Sequence, residues 1–338
     1  MSQIARSPAI AVLGAGSWGT ALALLVARNG YAVKLWDINS EHLESIKDCG
    51  ENKRYLPGVA LPQNLQVMAD LESVLSHTCQ FLVAVPSHAF RATLGRLAQF
   101  CAKAPRLLIS WGTKGFDPEQ GVLLSEVAAE VFPFAKLAVI SGPSFAREVA
   151  HDLPTALTVA SPDVDIANTV ATWLRSDHVR VYTNNDLTGV QLGGAIKNVM
   201  ALAAGISDGL GFGANARAAL ITRGLAEMNR LGKALGGDPH TFMGLTGVGD
   251  LVLTCTDNQS RNRRAGIALG QGHSVSEILK EIGQEVEGIK TVRELYTMAA
   301  RAGVDMPITT QVYKVIYDGL AAEEAVVSLL SREPKTES

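Results

Sequence analysis

The sequence predicts an α/β protein: an N-terminal, mainly parallel sheet domain followed by an all-α C-terminal domain. Three observations carry this. Short apolar runs without polar alternation recur through the first half, separated by helical patterns, as strands buried on both faces require. Strand signals stop after about residue 186, and long helical patterns take over. A glycine signature, Gly14-Ala-Gly16-Ser-Trp-Gly19, sits where the first strand should turn into the first helix.

In chain order, Ile10–Leu13, Val33–Trp36, Leu65–Met68, Phe81–Val85, Leu107–Ser110 and Leu137–Ile140 read as buried strands. Thr155–Ala160 and Val179–Tyr182 are weaker candidates. Between them lie helical patterns such as Ser17–Asn29, Ser87–Phe100 and Glu119–Val131. Beyond residue 186, helices are expected over 187–207, 214–235, 261–270, 274–282, 287–302 and 307–318, with Gly-rich turns between them. This change sets the domains at 1–188, a dinucleotide-binding Rossmann-type domain, and 189–338, a helical domain for the substrate. The polar end, Ser331–Ser338, reads as frayed.

Composition excludes several classes. With 47% hydrophobic and 19% charged residues over 338 positions, the chain is globular and long enough for two domains. A net charge of −3 argues against nucleic acid as the main partner, which a basic surplus would favour. Cys49, Cys79, Cys101 and Cys255 form no C-x-x-C pair and read as reduced thiols, with neither a metal site nor a disulfide framework. Ser7 to Ala27 carries no charge, but Pro8 and three glycines interrupt it, so it reads as strand plus helix and not as a signal peptide or membrane span. The expected location is the cytoplasm, without membrane insertion.

Within Gly14–Gly19, Gly14 allows the tight turn, Gly16 lets backbone approach a pyrophosphate, and Gly19 lets the helix pack on the sheet. Backbone N–H groups of Ser17 and Trp18 would then point at phosphate oxygens from the positive helix end. Asp37 ends the second strand, 18 residues after Gly19, where an acidic residue binds the ribose hydroxyls of NAD and repels the 2′-phosphate of NADP. The sequence therefore leans toward NAD.

Lys197 is the only formally charged residue between Asp186 and Asp208, on a segment apolar around the whole helical wheel. Such a lysine snorkels to water at a helix end, pairs with a remote carboxylate, or sits desolvated, where its pKa falls and it can move protons. At the start of the helical domain it would face the cleft between domains. Four further segments carry chemistry. Trp111-Gly-Thr-Lys114-Gly115 puts a lysine on a glycine-flanked loop at a strand's carboxyl end, where open α/β sheets place ligands. Ser141-Gly142-Pro143-Ser144-Phe-Ala146 is a loop rich in backbone donors. Gly247-Val-Gly-Asp250 puts a carboxylate at a helix start, and Asn258-Gln-Ser260-Arg261-Asn262-Arg-Arg264 gathers three arginines, a phosphate site in kind. Plainer readings stand beside these: an exposed loop lysine at 114, a tight turn at 141–146, a helix cap at Asp250, and a solvated charge for at least one arginine.

With these segments in order, the chain resembles bacterial NAD(P)-dependent sn-glycerol-3-phosphate dehydrogenases along nearly its whole length. The matching motifs are Gly14–Gly19, Val85-Pro-Ser-His88, Thr113-Lys-Gly115, Ser141-Gly-Pro143, Gly189–Asn198, Ser207–Ala216, Gly249–Thr256 and Asn258–Arg264. The resemblance implies reversible hydride transfer between NAD(P)H and dihydroxyacetone phosphate, giving sn-glycerol 3-phosphate for glycerophospholipid synthesis. It implies Lys197 as the proton acceptor, with Lys114 touching substrate and cofactor. Gly142, Ser144, Asp250, Ser260, Arg261 and Asn262 are implied to line the substrate site. Ser17, Trp18, Lys114, Ala146, Arg261 and Glu287 are implied for the nicotinamide dinucleotide. Asp250 is read as orienting Lys197. One departure stands out: members commonly carry Gly, Ala or a basic residue around Asp37 and Ile38, so strong NADP preference is in doubt, although Arg54 could support dual use. A homodimer is plausible from the apolar helical half. The nearest rival is a β-hydroxyacid or ketopantoate-type dehydrogenase, but those typically place asparagine one turn after the lysine, where this chain has Ala201. A non-catalytic dinucleotide sensor is the rival of another class.

Overall fold

A computed structural model of the chain describes residues 9–75, 78–101 and 107–332. The residues fall into two units. The first runs to Lys114 and resumes over Leu123–Val190; the second takes Gly115–Val122 and everything from Gln191.

In the first unit, the apolar runs become strands, most of them joined in one sheet. Strands β1 (Ile10–Leu13), β2 (Val33–Trp36), β3 (Leu65–Val67), β4 (Gln80–Val83) and β5 (Leu108–Trp111) lead to a small hairpin of β6 (Phe116–Asp117) and β7 (Val122–Leu123). Then come β8 (Lys136–Ser141), β9 (Thr155–Ala160) and β10 (Val179–Asn184). Eight of them form one sheet in the order β10-β9-β8-β5-β4-β1-β2-β3. All its pairs are parallel except β8 with β9, where Ile140 faces Val159. Strands β1 and β5 are buried at every residue, which needs cover on both faces.

Its helices are α1 (Ser17–Arg28), α2 (Ser40–Cys49), α3 (Leu71–Leu75), α4 (Ser87–Cys101), α5 (Leu124–Val131), α6 (Ala146–Ala150) and α7 (Val164–Leu174). Helices α2 and α7 are capped by Asn39 and Asp163, whose side chains accept first-turn N–H groups. Several expected boundaries move, two of them for a local reason. The strand expected over Phe81–Val85 ends at Val83, before Pro86. The helix expected from Glu119 begins at Leu124, because Asp117 accepts from Gln120 N and Gly121 N and closes the β6–β7 turn first.

The second unit is helical: α8 (Leu187–Gly209, which begins in the first), α9 (Ala214–Ala234), α10 (Pro239–Phe242), a π turn over Leu245–Gly249, α11 (Asp250–Thr256), α12 (Arg261–Gly270), α13 (Val275–Ile282), α14 (Glu287–Ala302), α15 (Pro307–Tyr317) and α16 (Ala322–Leu330). Helix α8 is long and apolar enough to cross a membrane, yet its most apolar 18-residue window is entirely buried. It crosses α12 through glycines. A Cβ at Gly205 would lie 2.2 Å from Arg263 O, and one at Gly209 would lie 2.2 Å from Ile267 O. Gly266 and Gly270 answer from the other side, 2.2 Å from Leu202 O and 2.4 Å from Ile206 O. Residues 115–122 depart from the continuous domain expected over 1–188. Strand β6 packs on α14, and Arg301 donates to Gln120 O and Gly121 O. Helix α16 had no sequence expectation; the polar stretch from Ser331 lies outside the described residues from 333 onward.

Candidate functional site

The glycine turn of the first unit is built for a phosphate. Gly14 holds φ 110°, and a Cβ there would meet Ala84 O at 2.7 Å; at Gly19 it would meet Gly14 O at 1.9 Å. At Gly16 a Cβ would meet nothing within 4 Å, so that side of the turn is open. Gly16 is also the N-cap of α1 and brings no side chain to cap it. Helix geometry leaves the N–H groups of Ser17 and Trp18 without intrahelical acceptors, so they face the opening.

The turn is clamped from beneath. Ala15 N donates to Asp37 Oδ2 at 2.7 Å, and Asn39 N donates to Oδ1 at 3.0 Å. Ala15 O accepts from Asn52 Nδ2 at 2.8 Å and lies 3.1 Å from His42 Nε2, which must carry the proton to face a carbonyl. Asn52 also donates to Thr20 Oγ1 at 2.8 Å. Sequence reasoning missed Asn52 and His42. Both are buried polar residues, the signal that structure supplies and sequence spacing does not.

A second cluster of the first unit gathers Lys114, Gly142 and Ser144. Lys114 Nζ donates to Gly142 O at 3.3 Å and Ser144 Oγ donates to the same oxygen at 3.0 Å. Gly142 holds φ 122°, and a Cβ there would crowd Ala156 O at 3.2 Å. Ala146 opens α6, whose far end is held by Arg28 through Val149 O (3.3 Å) and Ala150 O (2.5 Å). The lysine loop meets the glycine turn directly, since Trp18 Nε1 donates to Gly112 O at 3.1 Å.

In the second unit the isolated lysine is neither snorkelled nor alone. Lys197 is 8% exposed; its Nζ donates to Asp250 Oδ1 at 2.7 Å and to Thr254 Oγ1 at 2.9 Å. Thr254 Oγ1 donates back to Asp250 O at 2.6 Å. Asp250 has no exposure; Gly249, not Asp250, stands in the N-cap position, and the carboxylate accepts from the lysine. Glycines make this corner tight, Gly193 where α8 meets the π turn and Gly247 where that turn folds back on Phe242. A Cβ at Gly193, one turn before Lys197, would lie 2.3 Å from Thr246 O, and one at Gly247 would lie 1.9 Å from Phe242 O. The π turn ending at Gly249 then delivers Asp250 and Thr254, one turn apart, on one face.

The Asn258–Arg264 segment resolves into distinct duties. Ser260 Oγ caps α12 by accepting from Arg263 N at 3.2 Å. Arg263 is buried and binds Asp208, Asn258 and Cys255 O, while Arg217 binds Asp208 at 2.8 Å. Asn262 Nδ2 donates to Asn198 Oδ1 at 2.9 Å, and its Oδ1 accepts from Gly288 N at 2.9 Å, so the carboxamide ties α12 to α8 and α14. Arg264 is exposed. Arg261 is the guanidinium at the helix start. Burial lowers its pKa, opposed by Glu287 and Glu285, and it donates to Gln284 Oε1 at 3.3 Å. Glu287, half-buried, opens α14 beside it. An anion at this helix start would meet Arg261 and the first-turn N–H groups of Arg261 and Asn262. Thr254 is the further residue that sequence reasoning overlooked. Its signal was its place four residues after Asp250 on a short helix.

Among the described residues, no group of three or more His, Cys, Asp or Glu side chains is placed to hold a metal ion.

Family models of NAD-dependent glycerol-3-phosphate dehydrogenase match this chain over both units: the N-terminal model over residues 9–167 and the C-terminal model over 186–327. The chain is 56% identical over 330 residues to the glycerol-3-phosphate dehydrogenase (NAD(P)+) of Methylococcus capsulatus, covering 97% of this chain and 98% of that one. It is 55% identical over 334 residues to the enzyme of the same name from Thioalkalivibrio sulfidiphilus, covering 98% and 99%. The crystal structure of glycerol-3-phosphate dehydrogenase from Coxiella burnetii superposes with a TM-score of 0.93 at 46% identity, covering 96% of this chain and 99% of that one.

Proposed function

The chain belongs to the NAD-dependent glycerol-3-phosphate dehydrogenase family, and from that premise we propose that it interconverts dihydroxyacetone phosphate and sn-glycerol 3-phosphate with NADH or NADPH. The observation that carries the mechanism is the buried Lys197–Asp250–Thr254 group. When bound, the nicotinamide cofactor supplies or accepts the hydride. Everything else falls to side chains and backbone of this chain.

The open, uncapped start of α1 fits a pyrophosphate, with Ser17 and Trp18 N–H groups as donors. Asp37 stands at the end of β2, where its charge favours ribose hydroxyls over a 2′-phosphate and inclines the enzyme to NAD. In the reducing direction, carbonyl oxygen gains negative charge and Lys197 gives it a proton as the ammonium. In the oxidising direction, Lys197 as the amine takes the hydroxyl proton, and Asp250 stabilises the ammonium that results. Asp250 and Thr254 fix where Nζ points, so Asp250 orients and does not itself remove the proton. Lys114, drawn to Gly142 O beside Ser144, is the second cation offered to substrate and cofactor. Arg261 and the first turn of α12 hold the substrate phosphate, fix its orientation, and account for selection against plain glycerol. The carboxamide of Asn262 and the hydroxyl of Ser260 build that helix start, while Glu287 counters Arg261.

We place the enzyme in the cytoplasm as a homodimer, supplying glycerol 3-phosphate to glycerophospholipid synthesis; burial of α8 supports a chain that does not enter a membrane. The test is loss of reduced-nicotinamide absorbance with dihydroxyacetone phosphate, for wild type and Lys197→Ala. Wild type should turn over, and Lys197→Ala should lose about 10²–10⁴-fold in kcat while still binding NADH. Near-wild-type turnover of Lys197→Ala would exclude the lysine as the proton carrier.

A further inference from the structure

The indole of Trp18 does something that the dinucleotide reading leaves unused. Trp18 lies in the first turn of α1, and its backbone N–H belongs to the phosphate-facing end. Its side chain turns the other way, onto the loop that follows β5. Nε1 donates to Gly112 O at 3.1 Å. The ring lies so flat against this loop that a Cβ at Gly112 would stand 2.6 Å from Nε1, 3.3 Å from Trp18 Cδ1 and 3.0 Å from Leu22 Cδ1. Gly112 is therefore the residue that admits the indole.

The loop it grips ends at Lys114. Two bonds fix the loop from the strand side: Gly112 N to Val83 O at 2.9 Å and Thr113 Oγ1 to Val85 O at 2.7 Å. Both come from the end of β4 and the residues after it. The indole supplies the third bond, from α1, and Lys114, two residues on, donates to Gly142 O. Phenylalanine keeps an aromatic ring, though a smaller one, and has no N–H at the position of Nε1.

We propose that Trp18 is a positioning residue for Lys114: its indole N–H on Gly112 O sets the loop that aims the lysine. This rests on the reading of Lys114 as a substrate contact. Losing the bond leaves Gly112 O without its donor and frees the loop by fractions of an ångström, enough to weaken an oriented cationic contact.

Trp18→Phe is the first variant. Its kcat/KM for dihydroxyacetone phosphate should fall about tenfold, the scale of one hydrogen bond. Its Kd for NADH and its unfolding midpoint should stay close to wild type, because the backbone N–H and an aromatic ring at this place remain. A general packing defect would move all three together and would overturn the proposal. The same substitution in a Lys114→Met background should cost nothing further, since the lysine it acts through is gone. Gly112→Ala provides a second approach. With the indole present, the new methyl displaces it and lowers kcat/KM; combined with Trp18→Phe, the smaller ring makes room and the added cost shrinks. Trp18→Phe within twofold of wild type in kcat/KM would overturn the proposal. So would a Trp18→Phe penalty that persists undiminished beside Lys114→Met. If Lys114→Met itself keeps full activity, the reading of Lys114 as a substrate contact has failed, and the proposal falls with it.

Discussion

Gly205→Ala tests how much of the site depends on one helix crossing. The added methyl would lie 2.2 Å from Arg263 O and 2.8 Å from Gly266 Cα. A close C–H···O contact needs about 3.3 Å, so the shortfall is roughly 1 Å. The obstacle is backbone on both sides, and no side chain can swing away. Helices α8 and α12 must separate or bend. Overpacking of this kind costs about 1–3 kcal/mol, against gaining about 1 kcal/mol of helix propensity from replacing glycine by alanine. Stability should fall by up to about 2 kcal/mol. Activity should fall further, because α8 carries Lys197 and α12 begins at Arg261. Moving one against the other by an ångström can cost on the order of 10²-fold in turnover. Gly95→Ala is the control: it sits in α4, exposed, and its new Cβ meets nothing within 4 Å. That variant should gain roughly 0.5–1 kcal/mol and keep its rate. Denaturant unfolding and initial rates with dihydroxyacetone phosphate measure both effects. Gly205→Ala with unchanged stability and kcat/KM within about threefold of wild type would refute the close crossing and the dependence drawn from it.

Three other outcomes follow from named contacts. Thr254→Val removes one of the two oxygens that hold Lys197 Nζ but keeps the ion pair and the side-chain shape, so kcat should drop about tenfold with little loss of stability; an unchanged kcat would remove Thr254 from the positioning of the lysine. Asp37→Asn keeps an acceptor for Ala15 N or Asn39 N while deleting the charge, so the NADPH:NADH ratio of kcat/KM should rise at least about tenfold; a flat ratio would mean that Asp37 does not discriminate. Glu227 is buried where Ile308 N, Thr309 N and Thr309 Oγ1 donate to it, and burial raises its pKa from 4.5 to about 7 against those bonds. Between those values the native chain holds a proton that the unfolded chain has released. The stability this proton contributes is complete below pH 4.5 and is lost as pH rises toward 7, on the order of 3 kcal/mol. Glu227→Gln should flatten that slope in a pH series of unfolding midpoints, and an unaltered slope would assign it to another group.

What the sequence could and could not disclose follows from where each signal is stored. Strand β1 is legible because a run buried on both faces must be apolar throughout, and the glycine turn because Gly14 and Gly19 sit where any Cβ would strike backbone. The hairpin of β6 and β7 is illegible because two-residue strands have no period, and what recruits it to the helical unit is Arg301, some 180 residues away. The Asn258–Arg264 cluster exposes a subtler limit. A sequence counts donors and acceptors, but a folded chain spends them. Asn258–Arg264 offers three guanidiniums, two carboxamides of asparagine and a hydroxyl; in the structure the Ser260 hydroxyl caps α12, Arg263 neutralises Asp208, and both ends of the Asn262 amide are taken by Asn198 and Gly288. Each such group has a fixed number of bonds to make. Arg264 is exposed, so what these commitments leave at the helix start is Arg261 with first-turn backbone N–H groups, and the spent side chains hold that start in place. The same subtraction separates Asp250, committed to Lys197, from the helix cap its position suggested. Substituting Asn262 should therefore disturb phosphate binding through the geometry of α12, α8 and α14 together, which is why a loss of activity there does not by itself mark a residue that touches the substrate.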